Sequence, residues 1–117
     1  MKKCEIVKSN REFDKIIESN SFIKNKEFII YYKDNSNEQS HFGISVGKKI
    51  GCAVERNYYK RIIRNICDNN KKLYSKGKDY IIILRKGAKE LSFKEIEESF
   101  LKLMLKINEK ERKKYNE

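Results

Sequence analysis

Arg56, Lys60 and Arg64 stand four residues apart, with Asn57 and Arg61 between them. At 100° per residue on a helix, these five fall in one continuous arc. The i, i+4, i+8 spacing draws the three cations into a ridge with about 6 Å between neighbours. Tyr58, Tyr59, Ile62, Ile63 and Ile66 fill the opposite arc, with Cys67 at the border near Arg56. The chemistry such a ridge offers is the binding of phosphate. The chain holds 28 Lys and Arg, only six of them Arg, yet three of the six lie between positions 56 and 64. A guanidinium presents a planar fork that grips phosphate bidentately, which an ammonium does not. Like charges at this spacing repel by a few tenths of a kcal/mol per pair, and a polyanion laid along them reverses that cost. Lys48 and Lys49 extend the basic stretch, so that 48–64 carries six basic residues and one acid, a local balance of +5 within a net +11. The acid, Glu55, falls in the first helical turn, where the dipole favours a carboxylate.

Hydrolytic chemistry has no comparable set of residues. A nuclease needs a general base, an acid and usually a metal held by carboxylates. The single histidine, His41, stands alone at a strand end, where solvent or one hydrogen bond satisfies it. Asp34 and Glu38 fall in a polar turn, and Glu95, Glu97 and Glu98 read as the solvated face of the last helix. Cys4, Cys52 and Cys67 form no Cys-x-x-Cys pair, and with one histidine they make no zinc set. No catalytic or metal-binding residue is expected in the chain, and its cysteines are expected as free thiols. No run approaches the ~20 apolar residues of a membrane span. Met1 to Glu5 is basic but lacks the apolar stretch of a signal peptide, so a cytoplasmic protein is expected. An anionic membrane surface would answer the same charge, but it would take the tyrosine-rich arc away from a core. Ile, Lys and Asn supply 49 of 117 residues, and their AT-rich codons account for part of the lysine excess. The placement of arginine is independent of that bias.

The elements that must hold this ridge follow in order, within one domain spanning 1–117. Ser9-Asn10-Arg11-Glu12 is a capping box, and Phe13, Ile16 and Ile17 give a short amphipathic helix over about 10–19. Phe28 to Tyr32 reads as a strand within Glu27–Lys33, with Phe28, Ile30 and Tyr32 on one face and Ile29 and Tyr31 on the other. A polar turn leads to a returning strand at His41–Val46, which predicts an antiparallel hairpin. Gly51 leads into the basic helix, either as a backbone position closed to other residues or as a close approach for RNA. That helix is predicted over Ala53–Asp68, with a weaker continuation towards Leu73. Lys76-Gly77-Lys78 reads as a turn, and Tyr80–Leu84 as a strand buried on both faces. Ser92-Phe93-Lys94-Glu95 is a second capping box, followed by the stripe Ile96, Phe100, Leu103, Met104 and Ile107. The helix is expected to end near Asn108, with 110–117 a frayed charged tail. The order helix, strands, helix, strand, helix predicts an α+β fold, a two-layer α/β sandwich.

Lys48-Lys49-Ile50-Gly51, Ala53-Val54, Arg56-Asn57 and Lys60-Arg61-Ile62-Ile63-Arg64 together resemble the central motif of the bacterial ribonuclease P protein component. That pattern reads Gly-Asn-Ala-Val, any residue, Arg-Asn-Arg, any residue, Lys-Arg, two apolar residues, Arg. Phe13, Phe28 to Tyr31, Gly43-Ile44-Ser45-Val46 and Asp79 to Ile83 are similar to the family as well, so the resemblance covers nearly the whole chain. It implies a left-handed strand–helix–strand crossover, against the general right-handed preference. It also implies a subunit of the ribozyme that removes the 5′ leader of precursor tRNA, with magnesium used by the RNA and no cofactor bound by the protein. The implied partners are ribonuclease P RNA and precursor tRNA, with no obligatory protein partner. Lys48, Lys49, Arg56, Asn57, Lys60, Arg61 and Arg64 are the implied contacts to the catalytic RNA. Phe13, Ile17, Ile29 and Tyr31 are the implied leader cleft, although Phe13 and Ile17 serve equally as core. Ile17 replaces an aromatic, Cys52 replaces the asparagine, and Tyr58 replaces the third residue of Arg-Asn-Arg. The competing class is a ribosome-associated or general single-strand RNA-binding protein with no processing role, which would not require the fixed spacing.

Overall fold

Tyr80–Leu84 is apolar at every position, and such a strand needs cover on both faces and a neighbour on each edge. The computed structural model, which describes residues 15–18, 21–34, 40–70, 77–89 and 91–116, gives it both. Four strands, β1 (Phe22–Lys24), β2 (Phe28–Asp34), β3 (His41–Val46) and β4 (Lys78–Leu84), form one sheet in the order β1-β2-β4-β3. β4 pairs antiparallel with β2, Ile30 opposite Ile82, and parallel with β3, Ile44 opposite Ile82. The expected hairpin between β2 and β3 therefore does not form, because β4 lies between them. The chain order suggests a hairpin, but the strand with the most apolar surface takes the protected central position. β3, with His41 and Ser45, is left at the edge. Parallel neighbours cannot be joined by a tight turn. The connection from β3 to β4 passes through a helix, α2 (Ala53–Asn69).

α1 (residues 15–18) is helical within the span expected for the first helix, whose capping box and Phe13 lie outside the described residues. α3 (Phe93–Asn116) closes the order. α2 packs on β3 and α3 on β1 and β2. Both helices bury their apolar stripes in one cluster with Phe28, Ile30, Tyr32, Phe42, Tyr80, Ile82 and Leu84. This is the expected two-layer α/β sandwich. Phe28 meets Phe100 edge-on at 5.8 Å, and Phe42 stacks on Tyr80 at 5.5 Å. Ile16 and Ile81 are buried too but stand outside that cluster, Ile81 on the face of β4 opposite to Tyr80 and Ile82.

The capping box of α3 forms as its sequence requires. The Ser92 hydroxyl accepts the Glu95 N–H at 3.3 Å, and the Glu95 carboxylate accepts the Ser92 N–H at 3.4 Å. The expected end near Asn108 is corrected, because helical backbone continues to Asn116. Residues 109–116 hold no glycine or proline, and Glu, Lys and Arg are good helix formers without any apolar stripe. β1 has no strand signature of its own in the sequence, since three residues are too few to show a period. Its turn carries a signal nonetheless. The Asn25 side-chain oxygen accepts the N–H groups of Glu27 and Phe28 at 3.0 and 2.7 Å, turning the chain into β2. Gly87 packs against that turn, and a Cβ there would lie 2.5 Å from the Lys26 carbonyl oxygen.

Lys78 corrects the expected turn at 76–78, since it is the first residue of β4 and is buried. Its ammonium lies 2.6 Å from Asp34, its cross-strand partner, and 5.7 Å from the centre of the Tyr32 ring. A carboxylate and a π face at that range offset the loss of water around a buried cation.

Phe100→Ala is expected to lower the free energy of unfolding by about 3–5 kcal/mol in a urea titration. Leu105→Ala, on the same helix but half-exposed, is expected to change it by less than about 0.5 kcal/mol.

Candidate nucleic-acid interface

α2 begins where the sequence places it and ends one residue later than expected, at Asn69, with Asn70 turning out of the helix. Tyr59, Ile62, Ile63, Ile66 and Cys67 are buried. That anchoring fixes the rotation of the helix and therefore what its other side displays. Asn57, Arg61 and Arg64 are exposed, and Arg56 and Lys60, nearer the core border, are half-buried. Just before the helix, a 3-10 turn at Lys48–Ile50 buries Ile50 and leaves Lys48 and Lys49 exposed. All seven residues expected to face RNA thus lie on this helix and the turn that feeds it.

Among the described residues, no carboxylate pairs with Lys48, Lys49, Arg56, Lys60, Arg61 or Arg64. The Nε of Arg56 is shut away from solvent with no hydrogen-bond partner there. Glu55, the acid within the stretch, points away from the ridge and meets Lys89 at 3.6 Å. Gly51, at φ 158° and ψ −162°, occupies a region open almost only to glycine. A Cβ on it would also meet the Glu55 carboxylate at 2.5 Å. Cys52 occupies the N-cap without a side-chain cap bond, and its thiol instead lies 3.7 Å from Glu55.

Ile29 and Tyr31 lie on the face of the sheet turned away from α2, half-buried, opposite Ile83 and Ile81 of β4. Tyr31 also packs its ring on Phe22 at 5.4 Å. Ile17 is half-buried on α1, and Phe13 lies outside the described residues. On the same sheet face, a cross-strand row runs Lys33, Asp79, His41. His41 is hydrogen-bonded there, its Nδ1 2.8 Å from the Asp79 carboxylate. That pair joins residues 38 apart in sequence, and no local pattern announces it. Among the described residues, no three His, Cys, Asp or Glu side chains converge as a metal site. No described helix is long and apolar enough to cross a membrane.

Sheet, crossover helix and unneutralised ridge together define a small α+β protein shaped to hold a polyanion. The sequence profile of the Ribonuclease P family matches residues 1–108. A ribonuclease P protein component of Mycoplasma mycoides is 45% identical over 108 residues, covering 92% of this chain and 99% of that protein. One from Bacillus pumilus is 41% identical over 107 residues, covering 91% and 90%. Among solved structures, an RNase P protein mutant from Staphylococcus aureus superposes with a TM-score of 0.83 at 34% identity, covering 92% of this chain and 90% of that one. The RNase P protein of Thermotoga maritima gives 0.79 at 31%, covering 86% and 94%. The chain belongs to the ribonuclease P protein family, the protein subunits of the ribonuclease that processes tRNA.

Arg56→Ala and Arg64→Ala are each expected to weaken binding of a bacterial ribonuclease P RNA, most at low salt. Each phosphate that the protein no longer neutralises should flatten the log–log salt dependence by about 0.9. Filter binding across a salt series checks this, and wild-type curves for both variants would contradict it.

Proposed function

We propose that this chain binds the catalytic RNA of ribonuclease P along the ridge of α2 and the turn before it, and holds the 5′ leader of precursor tRNA on the opposite face of the sheet. The carrying observation is that Arg56, Lys60, Arg61 and Arg64 share one side of a buried-backed helix with no carboxylate of the described residues neutralising them. Cations spent on internal ion pairs would have little left for phosphate. A rigid helix backed by a packed core keeps the spacing of its charges fixed, so binding orders few side chains.

The leader site follows from what the second face offers. Tyr31 is half-buried, with its ring supported by Phe22, and is flanked by Ile29. A ring so supported can stack on an unpaired base, and Lys33 at the end of the same strand face supplies a cation for the backbone. The family resemblance implies that Ile17, and Phe13 outside the described residues, also contribute to leader binding. Cleavage itself is assigned to the RNA with magnesium, and the protein contributes by positioning and by screening phosphate charge that repels substrate and metal. The cell compartment that fits is the cytoplasm, where precursor tRNA is made in bacteria.

In a reconstituted reaction with bacterial ribonuclease P RNA and precursor tRNA, the protein is expected to stimulate 5′ cleavage at low magnesium. No stimulation would leave only general RNA binding. Tyr31→Ala in the holoenzyme is expected to lower affinity for precursor tRNA roughly 5- to 150-fold and leave mature tRNA unchanged. Equal weakening for both would remove the leader cleft.

A further inference from the structure

We propose that Tyr58 is a stacking platform for one unpaired nucleobase of the ribonuclease P RNA, an interaction that rests on the RNA-binding role of α2. Tyr58 follows Asn57 on the basic helix and is 55% exposed, although a tyrosine in an apolar arc would ordinarily be drawn into the core. Its neighbour one turn back, Val54, is 77% exposed. The two stand at i and i+4, so they form one apolar strip open to water beside the cations, with Arg61 at i+3 from Tyr58 on the ridge side.

The ring is held in place. It meets Tyr59 edge-on, with centres 5.3 Å apart and planes at 69°. Tyr59 is buried and donates its hydroxyl to the Lys89 carbonyl oxygen, which ties the supporting ring to the loop before α3. A ring fixed in this way gives up little freedom when a base settles on it.

Charge decides between base and phosphate. On the far side of Tyr58 from the ridge, Glu55 and Lys89 pair at 3.6 Å and leave that surface near neutral. A phosphate gains nothing there, and the Glu55 carboxylate repels it. On the ridge side, Arg61 and Arg64 are unpaired among the described residues. A strand crossing α2 with its backbone on the ridge would turn a base over the ring and the Val54 methyls. Stacking of this kind tolerates any base, so the ligand is an unpaired nucleotide without sequence requirement.

The test compares Tyr58→Phe, Tyr58→Ala and Tyr58→Arg with Arg64→Ala in binding to a bacterial ribonuclease P RNA over a salt series. Alanine suits an exposed helical position, and thermal melts confirm that each variant folds. Tyr58→Phe is expected to bind like wild type. Tyr58→Ala is expected to bind roughly 5- to 150-fold more weakly with an unchanged salt slope, because the same phosphates stay neutralised. Tyr58→Arg should recover affinity with a slope steeper by about 0.9. If Tyr58→Ala binds like wild type while Arg64→Ala is weakened, the platform is wrong and the ridge stands. If Arg64→Ala is also unaffected, the RNA-binding role of α2 fails with it. A flattened slope for Tyr58→Ala would make Tyr58 a support for the cations and overturn stacking.

Discussion

The cations of α2 face outward because Ile62, Ile63, Ile66 and Cys67 face inward. Each of these four is nearly sealed from water, and each isoleucine contributes about 1.5–3 kcal/mol when fully buried. Rotating the helix to hide the arginines would expose all four and strand the guanidinium charges in a medium that does not solvate them. No interaction at the rim competes with that difference. The display of Arg56, Lys60, Arg61 and Arg64 is therefore a consequence of core formation, and the sheet below is what makes it directional.

The sheet depends on the position of β4. With Ile81 and Ile82 almost fully buried on opposite faces, β4 belongs in the middle. Placing it there makes β3 its parallel partner, and a parallel pair requires a crossover. The crossover is α2. One strand's composition thus determines that the basic helix spans the sheet rather than trailing from it, and that the Ile29–Tyr31 side of β2 is left on the other face. The two surfaces proposed to meet RNA are therefore separated by a layer of sheet, which suits a subunit that holds a catalytic RNA and a substrate at once.

Much of this is legible in the sequence, for identifiable reasons. α2 repeats its polarity every 3.6 residues over four turns, so its span, its buried residues and its exposed cations can all be placed. Ser92 and Glu95 are three apart and close a local ring of hydrogen bonds, which needs no tertiary information. The pairing of strands is not legible. Periodicity says that β2, β3 and β4 are strands and which faces match, but it does not say who sits beside whom, and chain order misleads. Lys78 reads as part of a turn because a lysine beside a glycine is ordinarily solvated. Its burial depends on Asp34 and Tyr32, which lie far away in sequence. For the same reason the Glu55–Lys89 pair, which settles the charge around Tyr58, is visible only in three dimensions. The motif resemblance implies what the surfaces bind, while the geometry supplies the neutral patch beside the ridge.

The repulsion stored along Arg56, Lys60 and Arg64 has a consequence for the life of the chain. A ligand that binds only the native form raises apparent stability by mass action. RNA lying along α2 as proposed would do so, and it would also cancel the mutual repulsion of the three cations. Free and assembled copies would then differ in how readily they unfold, with molecules synthesised in excess of their RNA forming the more fragile pool, open to proteolysis. Subunit stoichiometry can in this way be held by turnover, without a dedicated sensor.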